Sequence, residues 1–182
     1  MIRKSLIDLL HRYIPSVEEV AYKDQIVSFI QQYPECFERS LPVGHITASA
    51  WLLNNDKSKV LLMHHAKLNQ WVQLGGHCDG NPDVLAVAIK EAQEESGIKQ
   101  IVPVMHQIFD IDIHAIPANK YEAAHFHYDV RFLLQVTSNE DIQKNEESHA
   151  LRWIGKNSTE LPTNAQSVVR MFNKWINYNE TH

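Results

Sequence analysis

The sequence predicts an α+β fold, an α/β/α sandwich in which a mixed sheet lies between helices. Three observations carry this. Strand-like segments begin at Gly44, one strong helix interrupts them after Pro82, and an amphipathic helix closes the chain.

The first forty residues read as helical. Ile2, Leu6, Leu9, Leu10 and Tyr13 recur at helical spacing until Pro15 stops the run. Ser16 to Glu19 has the form of a capping box, in which each side chain can satisfy the other's amide. Val20, Ile26, Val27, Phe29, Ile30 and Tyr33 give a second helix its apolar face, and Pro34 and Pro42 bracket a connector. This divides the chain into an N-terminal helical extension, 1–43, and a main unit, 44–182, within one compact domain.

From Gly44 the period changes. Ile46 to Leu53 is a strand, Asn54-Asn55-Asp56 a turn, and Val60 to Met63 the returning strand. A polar loop and Trp71 to Leu74 lead into Gly75-Gly76. The central helix starts near Asn81-Pro82, with Asn81 as its expected cap, and ends at Gly97, which tolerates a left-handed conformation. Strands follow near Ile101–Ile113 and Phe126–Val136, with a short one at Leu151–Ile154. Val168, Val169, Phe172, Trp175 and Ile176 share one face of the last helix.

Composition excludes several classes. A chain of 182 residues can bury a core of its own. The net charge of −5 is interspersed rather than clustered, which argues against nucleic acid as a partner. No apolar run approaches the roughly 20 residues of a membrane span. Cys36 and Cys78 are too few for a disulfide framework, and no leader-type segment is apparent, so the expectation is a cytoplasmic protein without a membrane partner.

The chemistry is concentrated between Gly75 and Ile98, GGHCDGNPDVLAVAIKEAQEESGI. Glu91, Glu94 and Glu95 stand at i, i+3 and i+4, so one helix face projects all three. Clustered carboxylates repel unless a cation sits among them, and hard oxygens at this density suit Mg²⁺ or Mn²⁺. The start of the same helix, Val84, Leu85, Val87, Ala88 and Ile89, is apolar, which sets the acids on a buried element rather than on a solvated face.

This segment resembles the Nudix box. From Gly76 the register runs through Lys90, Glu91, Ala92, Gln93, Glu94, Glu95, Ser96, Gly97 and Ile98. It departs twice from the box pattern: Lys90 replaces an arginine, keeping charge but losing the fork geometry, and Pro82 stands where the first glutamate belongs. The likeness extends in strand order from about Gly44 to Trp153, leaving the N-terminal helices outside. It implies a Nudix hydrolase that cleaves a diphosphate linkage with Mg²⁺ (or Mn²⁺). Carried over, Glu91 and Glu95 are the metal ligands with the Gly75 carbonyl, Glu94 is a further ligand or supports them, and Lys90 orients a box carboxylate. The implied partner is a small nucleotide-like diphosphate. Few cationic side chains accompany the box, which suits two phosphates better than a long polyphosphate or an RNA strand.

A base that activates water is also required. Glu147, in the loop entering the strand of Trp153, is the first choice, with Glu122, His125 and Asp129 as alternatives. His64 and Lys67 could meet phosphate, with His65 and Lys120 as further cations, and Trp71 could stack on a base or pack beneath the box loop. Glu122 is a further substrate contact. His125 and His127 alternate on one strand face and, with His77 and Cys78, could form a zinc site. No fourth ligand has diagnostic spacing, however, and packing or substrate contact is the plainer reading. Two other functions compete with hydrolysis: a non-catalytic nucleotide-binding module, which would be expected to lose box glutamates, and a histidine-based zinc protein. The N-terminal helices could serve a homodimer or close over a substrate.

Overall fold

The structure is a computed structural model describing residues 3–118, 120 and 122–178. Ile2, expected on the first helix, lies outside the described residues. Helix α1 (Lys4–Arg12) buries Leu6 and Leu10, and a short 3-10 turn (Val17–Glu19) leads into α2 (Val20–Gln32), which buries Ile26, Phe29 and Ile30. Of the expected capping box, Glu19 supplies its half, accepting from the Ser16 amide at 2.8 Å. The Ser16 hydroxyl has no partner among the described residues.

The sheet comprises β1 (Gly44–Leu53), β2 (Lys59–His65), β3 (Gln70–Val72), β4 (Leu74–His77), β5 (Ile101–Pro103), β6 (Asp110–Ile116), β7 (His125–Val136) and β8 (Ser148–Gly155). Its spine runs β3-β2-β1-β7-β5, with β8 on β2, β4 on β1 and β6 on β7. β1 and β7 are parallel while the other pairs are antiparallel, which is the expected mixed sheet. Where the sequence suggests one strand over Ile101–Ile113, there are two. Both lie along β7: the amide of Val104 reaches the Leu133 carbonyl, that of Phe109 reaches Arg131, and the residues between them loop away.

Helix α3 (Val84–Ser96) starts two residues after Pro82. Asp83, not Asn81, is its cap, accepting from the Ala86 amide at 3.0 Å, while Asn81 accepts from the Asp83 amide one turn earlier. Gly97 ends the helix at φ +76°, the left-handed conformation expected of it. Helix α4 (Gln166–Ile176) buries Val168, Met171, Phe172 and Trp175.

Strand alternation sorts side chains into two layers. Ile46, Ala48, Ala50 and Leu52 of β1 join α1, α2 and α3 in the larger core, while Trp51 and Leu53 join α4 in the smaller one. The N-terminal helices pack on each other and share the larger core with the sheet.

Candidate active site

Strand β4, between β3 and α3, brings backbone and carboxylates together. Strand β4 lies beside β1, with Gly75 across from Ser49 and Gly76 across from Ala48. The Gly75 amide donates to Oε2 of Glu95 at 2.8 Å. Glu95 is only 2% exposed. Burial pushes its carboxyl up to about 8, helped by the charges of Glu91, Glu147 and Glu94 and opposed by the Gly75 amide. A Cβ on Gly76 would stand 2.5 Å from Oε2 of Glu91, so only glycine leaves that carboxylate room. Burial also raises Glu91, against the pull of Lys90. Lys90 Nζ lies 2.9 Å from exposed Glu94 and 3.2 Å from the largely buried Glu91, so it pairs with both box carboxylates. Glu94 is more than half exposed and faces outward from the pair at Gly75-Gly76.

The arrangement fits a hard divalent cation. A buried carboxyl with a second one beside it at the glycines of β4 is costly without positive charge. Lys90 compensates only the outer side of the cluster.

Glu147 lies in the loop entering β8, and its backbone carbonyl accepts from the Ala66 amide at 2.8 Å, just beyond the end of β2. Its exposed carboxylate is close enough to raise both Glu91 and Glu95, which places it on the same side of the molecule as the box acids. His65 feels the same charge, but burial dominates and lowers it. Lys67 is exposed in the turn that follows.

The other expected contacts lie elsewhere. His64 stacks on Trp71, ring centroids 5.2 Å apart, and Trp71 packs against the smaller core with α4. Glu122 lines a cleft with Arg39, Leu41 and His125, beyond the starts of β1 and β7. Asp129, one alternative base, is 2% exposed and already accepts from Thr47, Ser49 and Arg131 at 2.7–2.9 Å. Burial raises its carboxyl, but Arg131 and its hydrogen bonds outweigh this and hold it low, so it is a fixed acceptor rather than a base.

One constellation escapes sequence reading, and a second is read there only in part. In the first, Arg131, wholly buried, reaches Asp129, Asp110 and Asp112, while Arg170 and Lys174 of α4 also reach Asp110. Lys174 continues to Glu19 at 2.6 Å and so ties α4 to the N-terminal segment. The two-residue spacings Asp110/Asp112 and Asp129/Arg131 were the available signal, since each pair shares a strand face.

The second is a histidine cluster. The parallel register sets His45 directly across from His127, and β4 on the other side of β1 brings in His77. Ring centroids of these three lie 4.7–5.0 Å apart. His125 joins from outside, with Nε2 3.2 Å from Nε2 of His127. Burial lowers His45 to about 4 and His127 to about 3, with neighbouring histidines adding to the effect, and burial also lowers His77. Cys78, grouped with these histidines on sequence proximity, turns the other way into the larger core, and burial keeps its thiol protonated. His45 carried no local signal; only the non-local strand pairing reveals it.

No helix among the described residues is long and apolar enough to cross a membrane. The fold resembles solved Nudix-type enzymes. An Ap4A hydrolase from C. elegans in a binary complex superposes with a TM-score of 0.57 at 16% identity, covering 72% of this chain and 94% of that one. The dihydroneopterin triphosphate pyrophosphohydrolase of E. coli gives 0.56 at 14% identity, covering 73% and 96%. A NUDIX family hydrolase from Clostridium perfringens gives 0.53 at 24% identity, covering 72% and 96%. No curated protein matches by sequence. The family model for the NUDIX domain matches residues 43–175, spanning β1 to α4 and including the glutamates of α3. The chain belongs to the NUDIX domain family.

Proposed function

We propose that this Nudix-family pyrophosphohydrolase cleaves the diphosphate linkage of a nucleoside-diphosphate-linked small molecule and releases a nucleoside monophosphate. The observation that carries the proposal is the pairing of Glu91 and Glu95 at Gly75-Gly76 of β4, with Glu95 buried and hydrogen-bonded to the Gly75 amide. Glu91, Glu95 and the Gly75 carbonyl would hold Mg²⁺ (or Mn²⁺), and Glu94 would contribute from the outer side. Bound there, the ion supplies neutralisation of the charge that builds on the phosphoryl oxygens when water attacks. Lys90 holds Glu94 and Glu91 in position. Glu147, exposed and within electrostatic reach of both ligands, takes the proton of the attacking water. Lys67, exposed in the turn next to Ala66, offers a positive charge to the phosphates, and the stacked His64–Trp71 pair offers an aromatic surface for the organic part. Glu122, on the cleft by His125, is the more distant polar contact.

A likeness to proteins named as an Ap4A hydrolase and as a pyrophosphohydrolase of a triphosphate supports an anhydride between phosphates as the bond broken. The small number of basic side chains near α3 favours a two-phosphate linkage. A phosphate-release screen over diphosphate compounds with Mg²⁺ or Mn²⁺, run in ¹⁸O-labelled water, tests this. Label is expected in a phosphate product. Tight binding of a diphosphate compound without consumption would favour the non-catalytic module instead.

A further inference from the structure

The ends of β1, β4 and β7 hold four imidazoles at one end of the sheet, separate from the box carboxylates. Alternation along β4 separates the two sets: Gly76 faces Glu91 on the α3 side, so His77, the next residue, faces the opposite side. There it meets His45 and His127, and the candidate ligand nitrogens of the three all lie within 4.8 Å of one another. His45 is only 3% exposed, and among the described residues neither of its ring nitrogens has a hydrogen-bond partner. A neutral imidazole carries one N–H donor and one acceptor, and burying both without partners is unfavourable. Packing alone gives no reason to set such a ring among three others.

His125 adds a further ligand geometry. Its Nδ1 lies 2.8 Å from the Ala123 carbonyl, which can only accept, so Nδ1 bears the proton. The lone pair of its Nε2 therefore points toward His127, 3.2 Å away. Two imidazole nitrogens on one tetrahedral zinc stand about 3.3 Å apart, given Zn–N distances of about 2.0–2.1 Å. An Nδ1–H held by a backbone carbonyl is also the usual way a ligating imidazole is oriented. His125 also lines a cleft of about 370 Å³ with Arg39 and Glu122, so this end of the cluster reaches the surface.

We propose that His45, His77 and His127, with His125 in the fourth position, bind a zinc-type transition-metal ion that clamps the ends of β1, β4 and β7. The donor set is all imidazole, which suits Zn²⁺ and excludes Mg²⁺, the ion preferred by the oxygen-lined box. The site does not depend on the proposed diphosphate chemistry.

The test uses the full chain after dialysis against a chelator. Zn²⁺ is titrated in competition with a chromophoric chelator, and Co²⁺ is added separately as a spectroscopic probe. One equivalent of Zn²⁺ is expected to bind, with the affinity falling at least a hundredfold in His45→Gln, His77→Gln and His127→Gln and staying unchanged in Glu91→Gln and Glu95→Gln. Co²⁺ on the unaltered chain should give the intense visible bands of a four-coordinate site, a result that stands even if a histidine variant fails to fold. Zn²⁺ held no more tightly by the unaltered chain than by His127→Gln would overturn the assignment. So would loss of Zn²⁺ in Glu95→Gln, or only the faint bands of six-coordinate Co²⁺.

Discussion

Gly75 and Glu95 are joined by a hydrogen bond of 2.8 Å from the glycine amide to the carboxylate, twenty residues along the chain. This bond fixes the last turn of α3 against β4. It also spends one carboxylate oxygen on the backbone and leaves the other for a cation. Glu95→Gln keeps the shape and an acceptor for the Gly75 amide but removes the charge. Turnover should fall by roughly a hundredfold or more, with the thermal midpoint held or raised, because an isolated buried carboxylate is itself unfavourable. Residual activity within a few-fold of the unaltered chain would remove Glu95 from the ligand set.

Gly76 gives a sharper steric test. A methyl group there meets Oε2 of Glu91 at 2.5 Å, and the far end of a flexible side chain can swing away at little cost. Gly76→Ala should therefore change stability by no more than about 1 kcal/mol. It should nevertheless raise the Mg²⁺ concentration needed for half-maximal activity by tenfold or more. An unchanged metal requirement would mean that the position of Glu91 is immaterial.

Lys90 is largely exposed, so its two ion pairs contribute little to folding, about 0–1 kcal/mol together. Any larger effect of removing it must be on catalysis. Lys90→Arg should retain most of the rate, while Lys90→Ala should lower kcat more than it changes KM. A silent Lys90→Ala variant would leave Glu94 and Glu91 without need of orientation.

Glu147→Gln should lower kcat by about 10²–10⁴-fold, the usual contribution of a general base, with little change in metal affinity. Isothermal titration with Mn²⁺ beside steady-state rates separates the two quantities. A Glu147→Gln variant at full speed would move the role to another group.

Asp110 governs behaviour in acid. Burial raises its carboxyl, but Arg170, Arg131 and Lys174 outweigh this and hold it at about 2. The native state thus keeps a charge that the unfolded chain loses near its ordinary carboxylate pKa. The stabilisation is present above about pH 4 and lost as pH falls toward 2, a change of about 2 kcal/mol. Asp110→Asn should cost about 3–5 kcal/mol at neutral pH, since it leaves buried cations short of a partner. Its remaining stability should also vary less between about pH 5 and pH 2 in denaturant titrations. An acid limb as steep as that of the unaltered chain would place the titrating group elsewhere.

The local elements were legible because their causes are local. The 3.6-residue and two-residue periods, Gly97 at the end of α3, and the spacing of Glu91, Glu94 and Glu95 follow from residues within a few positions of one another. The capping of α3 was misplaced by two residues because Asn81 and Asp83 both have capping side chains, and only the backbone path after Pro82 decides which one faces the first free amides. One long strand at Ile101–Ile113 became two because β7 is long enough to pair with both ends while the middle loops out. The sequence by itself determined the helix that carries the acids and the family to which it belongs. Only the tertiary structure decided which acids are buried, that Glu19 and Lys174 meet across 155 positions, and that His45 stands beside His127. Those outcomes depend on strand order and register, and these are settled by the competition of whole layers for a common core.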